Sequence, residues 1–76
     1  RDAPLSLWYA DGLLYFVRNG CSGVLSYSVY DIRGVMVNHG IVNEGAEILP
    51  LDLRSGVYVV KVEVGGASAD YRLVVK

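Results

Sequence analysis

The 76-residue chain has few of the residues that usually carry chemistry or cross-links, with one cysteine, one histidine and two prolines. Its single cysteine, Cys21, excludes an internal disulfide. We interpret Cys21 as a loop thiol, and an intermolecular disulfide is the alternative. The sequence contains no spacing of metal ligands, no glycine-rich phosphate loop and no nucleophile motif. We therefore predict a domain that is not an enzyme and that has no cofactor.

An excess of charge of one sign is also missing. Seven basic and eight acidic residues give a formal net charge of −1 and are scattered singly along the chain. Without a basic stripe, nucleic-acid binding is not expected. The apolar runs are far shorter than the ~18 residues that would span a bilayer, so no membrane span is predicted. Residues 1–4 show no apolar signal segment, and we expect the mature part, or an excised domain, of a longer protein.

The polar side chains that resemble catalytic groups have simpler structural interpretations. A Cys21–His39 pair would need a third group and an oxyanion site, and a solvated strand histidine is the favoured interpretation. Asp31 and Asp52 each lie beside a turn, where carboxylates accept hydrogen bonds from backbone N–H groups. We therefore expect both carboxylates to be structural.

The chain is rich in β-branched and aromatic residues interrupted by turn residues. Residues 5–10 and 13–18 flank Asp11-Gly12, one of the strongest short-range hairpin signals. Residues 24–32 alternate apolar and polar side chains, which is typical of a strand with one wet face. Asp31 to Gly34 turns the chain into a return strand over residues 35–42.

Glycine and proline set the remaining expectations. Asn38 to Gly40 predicts a β-bulge in the return strand. Residues 43–45 predict a further turn, and Pro50 confines the segment 46–53 to a sheet edge or to an irregular crossing. The Gly65-Gly66 turn then joins the last two strands, residues 53–64 and 67–76. One face of the first of these strands is wholly apolar, so this hairpin needs a second sheet to cover it.

Seven short strands at about ten-residue spacing predict a single all-β domain over residues 1–76. The favoured architecture is an immunoglobulin-like β-sandwich of about seven antiparallel strands. No apolar period of about 3.6 residues is long enough for a helix. A five- or six-stranded barrel is the competing architecture.

Three stretches resemble the C-terminal sorting domain of type IX secretion cargo, a family found in Bacteroidetes. They are VYDIRGVMV at residues 29–37, LDLRSGVYVVKV at residues 51–62 and YRLVVK at residues 71–76. The resemblance covers about two thirds of the chain, from Val24 onward. The N-terminal part of the chain departs from the family. Cargo domains usually begin with a Pro-Asn-Pro-like segment, whereas residues 5–18 read LSLWYADGLLYFVR.

The resemblance implies an immunoglobulin-like sandwich at the end of an exported protein. Such a domain is read in the periplasm by the type IX translocon and by outer-membrane shuttle or attachment proteins, and the parent reaches the cell surface. In typical cargo a sortase then removes the domain, whereas a minority of members belong to the secretion machinery and keep it.

The expected recognition site is the final hairpin, which would be offered to a partner by edge pairing. Lys61 and Lys76 carry most of this hypothesis because both are expected to be exposed. The full set of expected recognition residues is Gly56, Val57, Tyr58, Val60, Lys61, Val62, Leu73, Val74, Val75 and Lys76.

Two other functions stay open. An adhesive or carbohydrate-binding sandwich of an extracellular protein would use exposed aromatic side chains, with Tyr30 and Trp8 as the candidates. A structural spacer beside a catalytic domain is the other. Most aromatic side chains are expected in the core or in cross-strand pairs. We also expect a homodimer formed by strand exchange, because short apolar hairpins flank open sheet edges.

Overall fold

The computed structural model describes residues 5–20, 22–43 and 48–76. In this part of the chain there are seven β-strands and no helix, which confirms the predicted all-β class. Cys21 and most of the turn expected at residues 43–45 lie outside the described residues. The strands are β1 (Leu5–Ala10), β2 (Leu13–Arg18), β3 (Leu25–Tyr30), β4 (Met36–Val42), β5 (Ile48–Pro50), β6 (Gly56–Val64) and β7 (Ala67–Val75).

The strands form two antiparallel sheets that pack as a sandwich. One sheet has the order β1-β2-β5 and the other has the order β4-β3-β6-β7. The chain changes sheet after β2, after β4 and after β5, which is a Greek-key path of the immunoglobulin-like kind. In the constant-type arrangement the fourth strand pairs with the fifth, whereas here β4 pairs with β3. Because the strands form two separate sheets, the competing five- or six-stranded barrel is excluded.

Both predicted tight hairpins are confirmed. Asp11 and Gly12 have φ angles of 53° and 78°, and Gly65 and Gly66 have 58° and 79°. Positive φ at both central residues twists a two-residue turn in the same sense as its flanking strands. The second hairpin joins the two longest strands, β6 and β7, which pair along their entire length.

The core lies between the inner faces of the two sheets. On β3 the buried residues are Leu25, Tyr27 and Val29, as the alternating pattern predicts. The apolar face of β6 is likewise covered by the opposite sheet. No polar or charged side chain is buried among the residues that the structure describes. The buried set is Leu5, Leu14, Phe16, Leu25, Tyr27, Val29, Val42, Leu51, Tyr58, Val60, Val62, Val64, Leu73 and Val75.

The β-bulge predicted at Asn38 to Gly40 lies earlier in β4. Val29 pairs with Asn38 and Tyr30 pairs with Met36, so Val37 is the extra residue. Gly40 has a different role, because a Cβ at this position would lie 2.8 Å from the Tyr27 hydroxyl oxygen. Because Gly40 has only a hydrogen atom in place of a Cβ, the Tyr27 ring can lie against β4.

Candidate functional site

The start of β6 is fixed by a hydrogen bond across the β5–β6 corner. The Tyr58 hydroxyl donates to the carbonyl oxygen of Arg54 at 2.8 Å. A tyrosine near the start of this strand that bonds to the backbone a few residues upstream is the tyrosine corner of immunoglobulin-like sandwiches. Gly56, between the two, has a φ of 154°, which side-chain-bearing residues rarely adopt. The Leu-x-x-Gly-x-Tyr element of residues 53–58 therefore has an architectural role.

The ten expected recognition residues divide evenly between the core and the rest of the hairpin. Buried residues cannot contact a partner while the domain is folded. The five residues that face the core are Tyr58, Val60, Val62, Leu73 and Val75. The five that a partner can reach are Gly56, Lys61, Val74 and Lys76, which are exposed, and Val57, which is half-buried.

The accessible members of this set lie mainly on the outer face of β6 and β7. Val57 pairs with Val74, Val59 with Arg72, and Lys61 with Asp70. We call the surface formed by Val57, Val59, Lys61, Arg72 and Val74 the β6–β7 face. Val74 is 57% exposed and forms its apolar end.

Lys61 connects this face to the neighbouring strand β3. Its Nζ lies 5.7 Å from the centre of the Tyr30 ring, which is within the range of a cation–π contact. Tyr30, one of the two aromatic side chains expected to be exposed, is half-buried in this position. It also pairs with Val59, so β3 and β6 meet there.

An apolar extension of the face at the β3–β4 turn is not apparent from strand alternation. Ile32 is 80% exposed, and Val35, Met36 and Val37 are each more than 40% exposed. Tyr30, Ile32, Val59 and Lys61 line a shallow depression of about 440 Å³. The sequence contains one signal for this surface, which is the run of three consecutive apolar residues, Val35 to Val37, directly after the turn.

Asp31 holds that turn in place, as its position at the start of the Asp31 to Gly34 turn predicts. Its Oδ1 accepts hydrogen bonds from the backbone N–H groups of Arg33 and Val35 at 2.9 and 3.1 Å. Its Oδ2 accepts from the Arg33 guanidinium at 2.8 and 3.1 Å. The Arg33 side chain lowers the pKa of the Asp31 carboxyl, and the two backbone donors act in the same direction. The Asp31 carboxylate therefore stabilises the turn that exposes Ile32.

The opposite end of the four-stranded sheet has a polar outer face. Ser26, Ser28, Glu63, Ser68 and Asp70 line a second shallow depression there, next to Lys61. Within residues 5–20, 22–43 and 48–76, no three His, Cys, Asp or Glu side chains are grouped so that they would hold a metal ion. The same ranges contain no helix long and apolar enough to cross a bilayer.

The outer face of the three-stranded sheet carries an aromatic pair. The rings of Trp8 and Tyr15 stack with centroids 5.3 Å apart and an interplanar angle of 6°. Trp8 is 47% exposed. Strand alternation places no charged residue on this face. The face is formed by Ser6, Trp8, Ala10, Leu13, Tyr15, Val17, Ile48 and Pro50.

Sheet order and the tyrosine corner together define the class of this protein, an immunoglobulin-like β-sandwich. Comparisons with protein-family models, with curated proteins and with solved structures find no match for the chain.

Proposed function

We propose that this chain is a non-catalytic signal domain that directs its parent protein across the outer membrane through a type IX secretion system. On this proposal the parent is exported, passes through the periplasm and reaches the cell surface. The partners are the translocon and its outer-membrane shuttle or attachment proteins. The resemblance of residues 29–37, 51–62 and 71–76 to sorting domains of that system is the starting point.

One observation carries the proposal: these three stretches, distant in sequence, expose side chains on one continuous surface. Tyr30 pairs with Met36 on one side and with Val59 on the other. Val59 in turn pairs with Arg72 of the last stretch. A partner that contacts the β6–β7 face and its extension at Ile32 therefore meets residues from all three stretches at once.

The position of β7 supports a specific mode of recognition. β7 pairs with β6 from Ala67 to Val75 and is the last strand of its sheet. An edge strand offers backbone groups for added pairing, while its alternate side chains supply specificity. Arg72 and Val74 are the exposed side chains of β7 nearest its end. They are the residues on which we expect recognition to depend most.

Secretion of a fusion protein tests the proposal. The chain is attached to the carboxyl end of a periplasmic enzyme in a bacterium that has a type IX translocon. Deleting residues 71–76 is a poor variant, because it removes Leu73 and Val75 from the core. Val74→Asp is better, because it places a charge on the β6–β7 face without opening a cavity.

Val17→Asp is the matched control for this experiment. Val17 is 46% exposed, against 57% for Val74, and it lies on the outer face of the other sheet. We expect the unaltered fusion and Val17→Asp to reach the cell surface and Val74→Asp to stay in the periplasm. Circular dichroism of each isolated variant checks that it folds. Normal surface delivery of folded Val74→Asp, or no export of the unaltered fusion, would contradict the proposal.

The Trp8–Tyr15 pair favours the second candidate function, a carbohydrate-binding module. Aromatic faces on an uncharged surface stack against the apolar side of sugar rings, and Trp8 retains exposed indole surface. Glycan-array binding that is lost on Trp8→Ala and retained on Tyr30→Ala would support this function. Absence of glycan binding by the unaltered chain would eliminate it.

A further inference from the structure

β4 is an edge strand that lacks most of the usual protection against pairing with another chain. It pairs with β3 and has no other neighbour among the described strands. Its seven residues, Met36 to Val42, include no Lys, Arg, Asp, Glu or Pro. Proteins ordinarily protect open edges with charged residues, with proline, with β-bulges or with a covering element, and the described part of the chain gives β4 only the bulge at Val37.

The exposed side chains of β4 are apolar on both sides of its midpoint. Val37 is 44% exposed and Ile41 is 69% exposed, and both flank the exposed His39 on the outer face. Ile41 lies opposite Ser26 of β3, a small side chain that leaves most of the isoleucine uncovered.

We propose that β4 pairs antiparallel with the β4 strand of a second copy of this chain. Overlap of residues 37–41, which leaves out Met36 on the far side of the bulge, places the two-fold axis at His39, the middle residue of this segment. Directly paired residues in an antiparallel ladder lie on the same face of the sheet. In this register Val37 therefore lies opposite the partner's Ile41, and His39 lies opposite the partner's His39.

This register is self-complementary in shape and in charge. Each copy contributes one Val–Ile cross-strand pair, and such apolar pairs stabilise antiparallel sheets. No residues of like formal charge are placed opposite each other, because β4 has none. On the inner side Asn38 lies opposite the partner's Gly40, which has no side chain to obstruct it. The product is a continuous eight-stranded sheet, made from two sheets of four strands each.

The dimer differs from one formed by strand exchange, because every strand keeps its place in its own sandwich. Pairing along a single strand buries an area at the low end of protein interfaces, below about 1,200 Å². Association is therefore weak and concentration-dependent. It uses the edge of the four-stranded sheet opposite β7, so it leaves the β6–β7 face uncovered.

Sedimentation of the isolated chain across a wide concentration range is the first test. We expect the mass to rise from that of an 8.3-kDa monomer towards twice that value. Ile41→Lys removes both symmetric Val–Ile pairs and should raise the dissociation constant about tenfold. Val74→Lys, which adds the same charge at the other edge of the sheet, should leave it unchanged.

Cysteine cross-linking tests the register, in a background with Cys21→Ser. A residue on the two-fold axis faces its own copy, within the 4.4–6.8 Å Cα separation that a disulfide needs. His39→Cys should therefore give a covalent dimer under mild oxidation. Ile41→Cys faces Val37 and should not. A chain that stays monomeric at all concentrations, a dimer that Val74→Lys disrupts as much as Ile41→Lys, or equal cross-linking at positions 39 and 41 would overturn the proposal.

Discussion

At the scale of single residues, tyrosine hydroxyl groups join parts of the chain that are distant in sequence. The Tyr71 hydroxyl donates to the Leu5 carbonyl oxygen and accepts from the Leu5 N–H at 3.3 Å, which links the two sheets. The Tyr9 hydroxyl likewise donates to Leu51 and accepts from the N–H of Leu53 at 3.2 Å. Each hydroxyl therefore satisfies one backbone donor and one backbone acceptor.

The bond between Tyr71 and Leu5 gives a prediction at this scale. Tyr71→Phe keeps the ring but leaves two partly buried backbone groups without this partner. We expect the free energy of unfolding in urea to fall by about 1–3 kcal/mol. Tyr15→Phe, on an outer sheet face, should change it by less than about 0.5 kcal/mol. Equal effects of the two substitutions would show that the Tyr71 hydroxyl adds nothing to stability.

Strand alternation places Tyr71 on the inward side of its strand, but no sequence pattern predicts its hydrogen bonds. Residues 71 and 5 are 66 positions apart, and the partner depends on which strands face each other across the sandwich. Asp31 is the opposite case. Its partners lie within four positions, so the turn chemistry could be predicted and is confirmed.

At the scale of elements, the Asp31 turn predicts a dependence of stability on pH. The pKa of Asp31 in the folded chain is lowered from its ordinary value of 3.8. A carboxyl group whose pKa is lower in the folded chain than in the unfolded chain stabilises the fold at pH values above its unfolded pKa. This contribution is lost as the pH falls through the folded pKa. Stability should therefore decrease below about pH 4 as this carboxylate becomes protonated.

Asp31→Asn isolates this contribution, since its amide oxygen still accepts from the backbone N–H groups but carries no charge towards Arg33. Thermal unfolding between pH 5 and pH 2 should show a smaller acid-induced loss of stability in Asp31→Asn than in the unaltered chain. Asp70→Asn, at an exposed position of β7, serves as the control for loss of one carboxylate. Identical pH profiles for the unaltered chain and Asp31→Asn would refute this account of the turn.

The predicted hairpins and the misplaced bulge differ in how local their causes are. Asp11-Gly12 and Gly65-Gly66 determine their turns through their own φ angles. The bulge directly follows the Asp31 turn, which is closed by the Asp31 N–H donating to the Val35 carbonyl oxygen at 2.9 Å. Val37 then falls out of register with β3. That offset arises from pairing between two strands, so the composition of β4 alone does not reveal it.

At the scale of the whole molecule, strand number and spacing predict the sandwich but not its two outer faces. Which sheet β4 joins decides where Val37 and Ile41 lie, and no local pattern specifies that choice. Because local patterns do not specify how distant strands pair, the sequence predicted only part of the candidate site. Alternation correctly separates Lys61 and Val74 from buried neighbours such as Val60 and Leu73, but it does not bring Ile32 beside Val59.

The small size of the core predicts a large effect of a single cavity. Leu14 is fully buried between the sheets, and Leu14→Ala should cost about 2–5 kcal/mol. At about 0.05–0.15 kcal/mol per residue, a chain of 76 residues has a total stability of about 4–11 kcal/mol. Urea unfolding should therefore show a large shift of the midpoint. Leu13→Ala, on the half-exposed side of β2, should shift it much less, and comparable shifts would argue against this core.

Because the chain's one tryptophan, Trp8, lies on the outer face of the three-stranded sheet, its emission spectrum monitors that face rather than the core. A ligand that covers the aromatic pair should shift the emission to shorter wavelength. A second copy at β4, or a translocon component at the β6–β7 face, should leave the spectrum unchanged. This intrinsic chromophore therefore reports, without any label, which side of the sandwich a partner occupies.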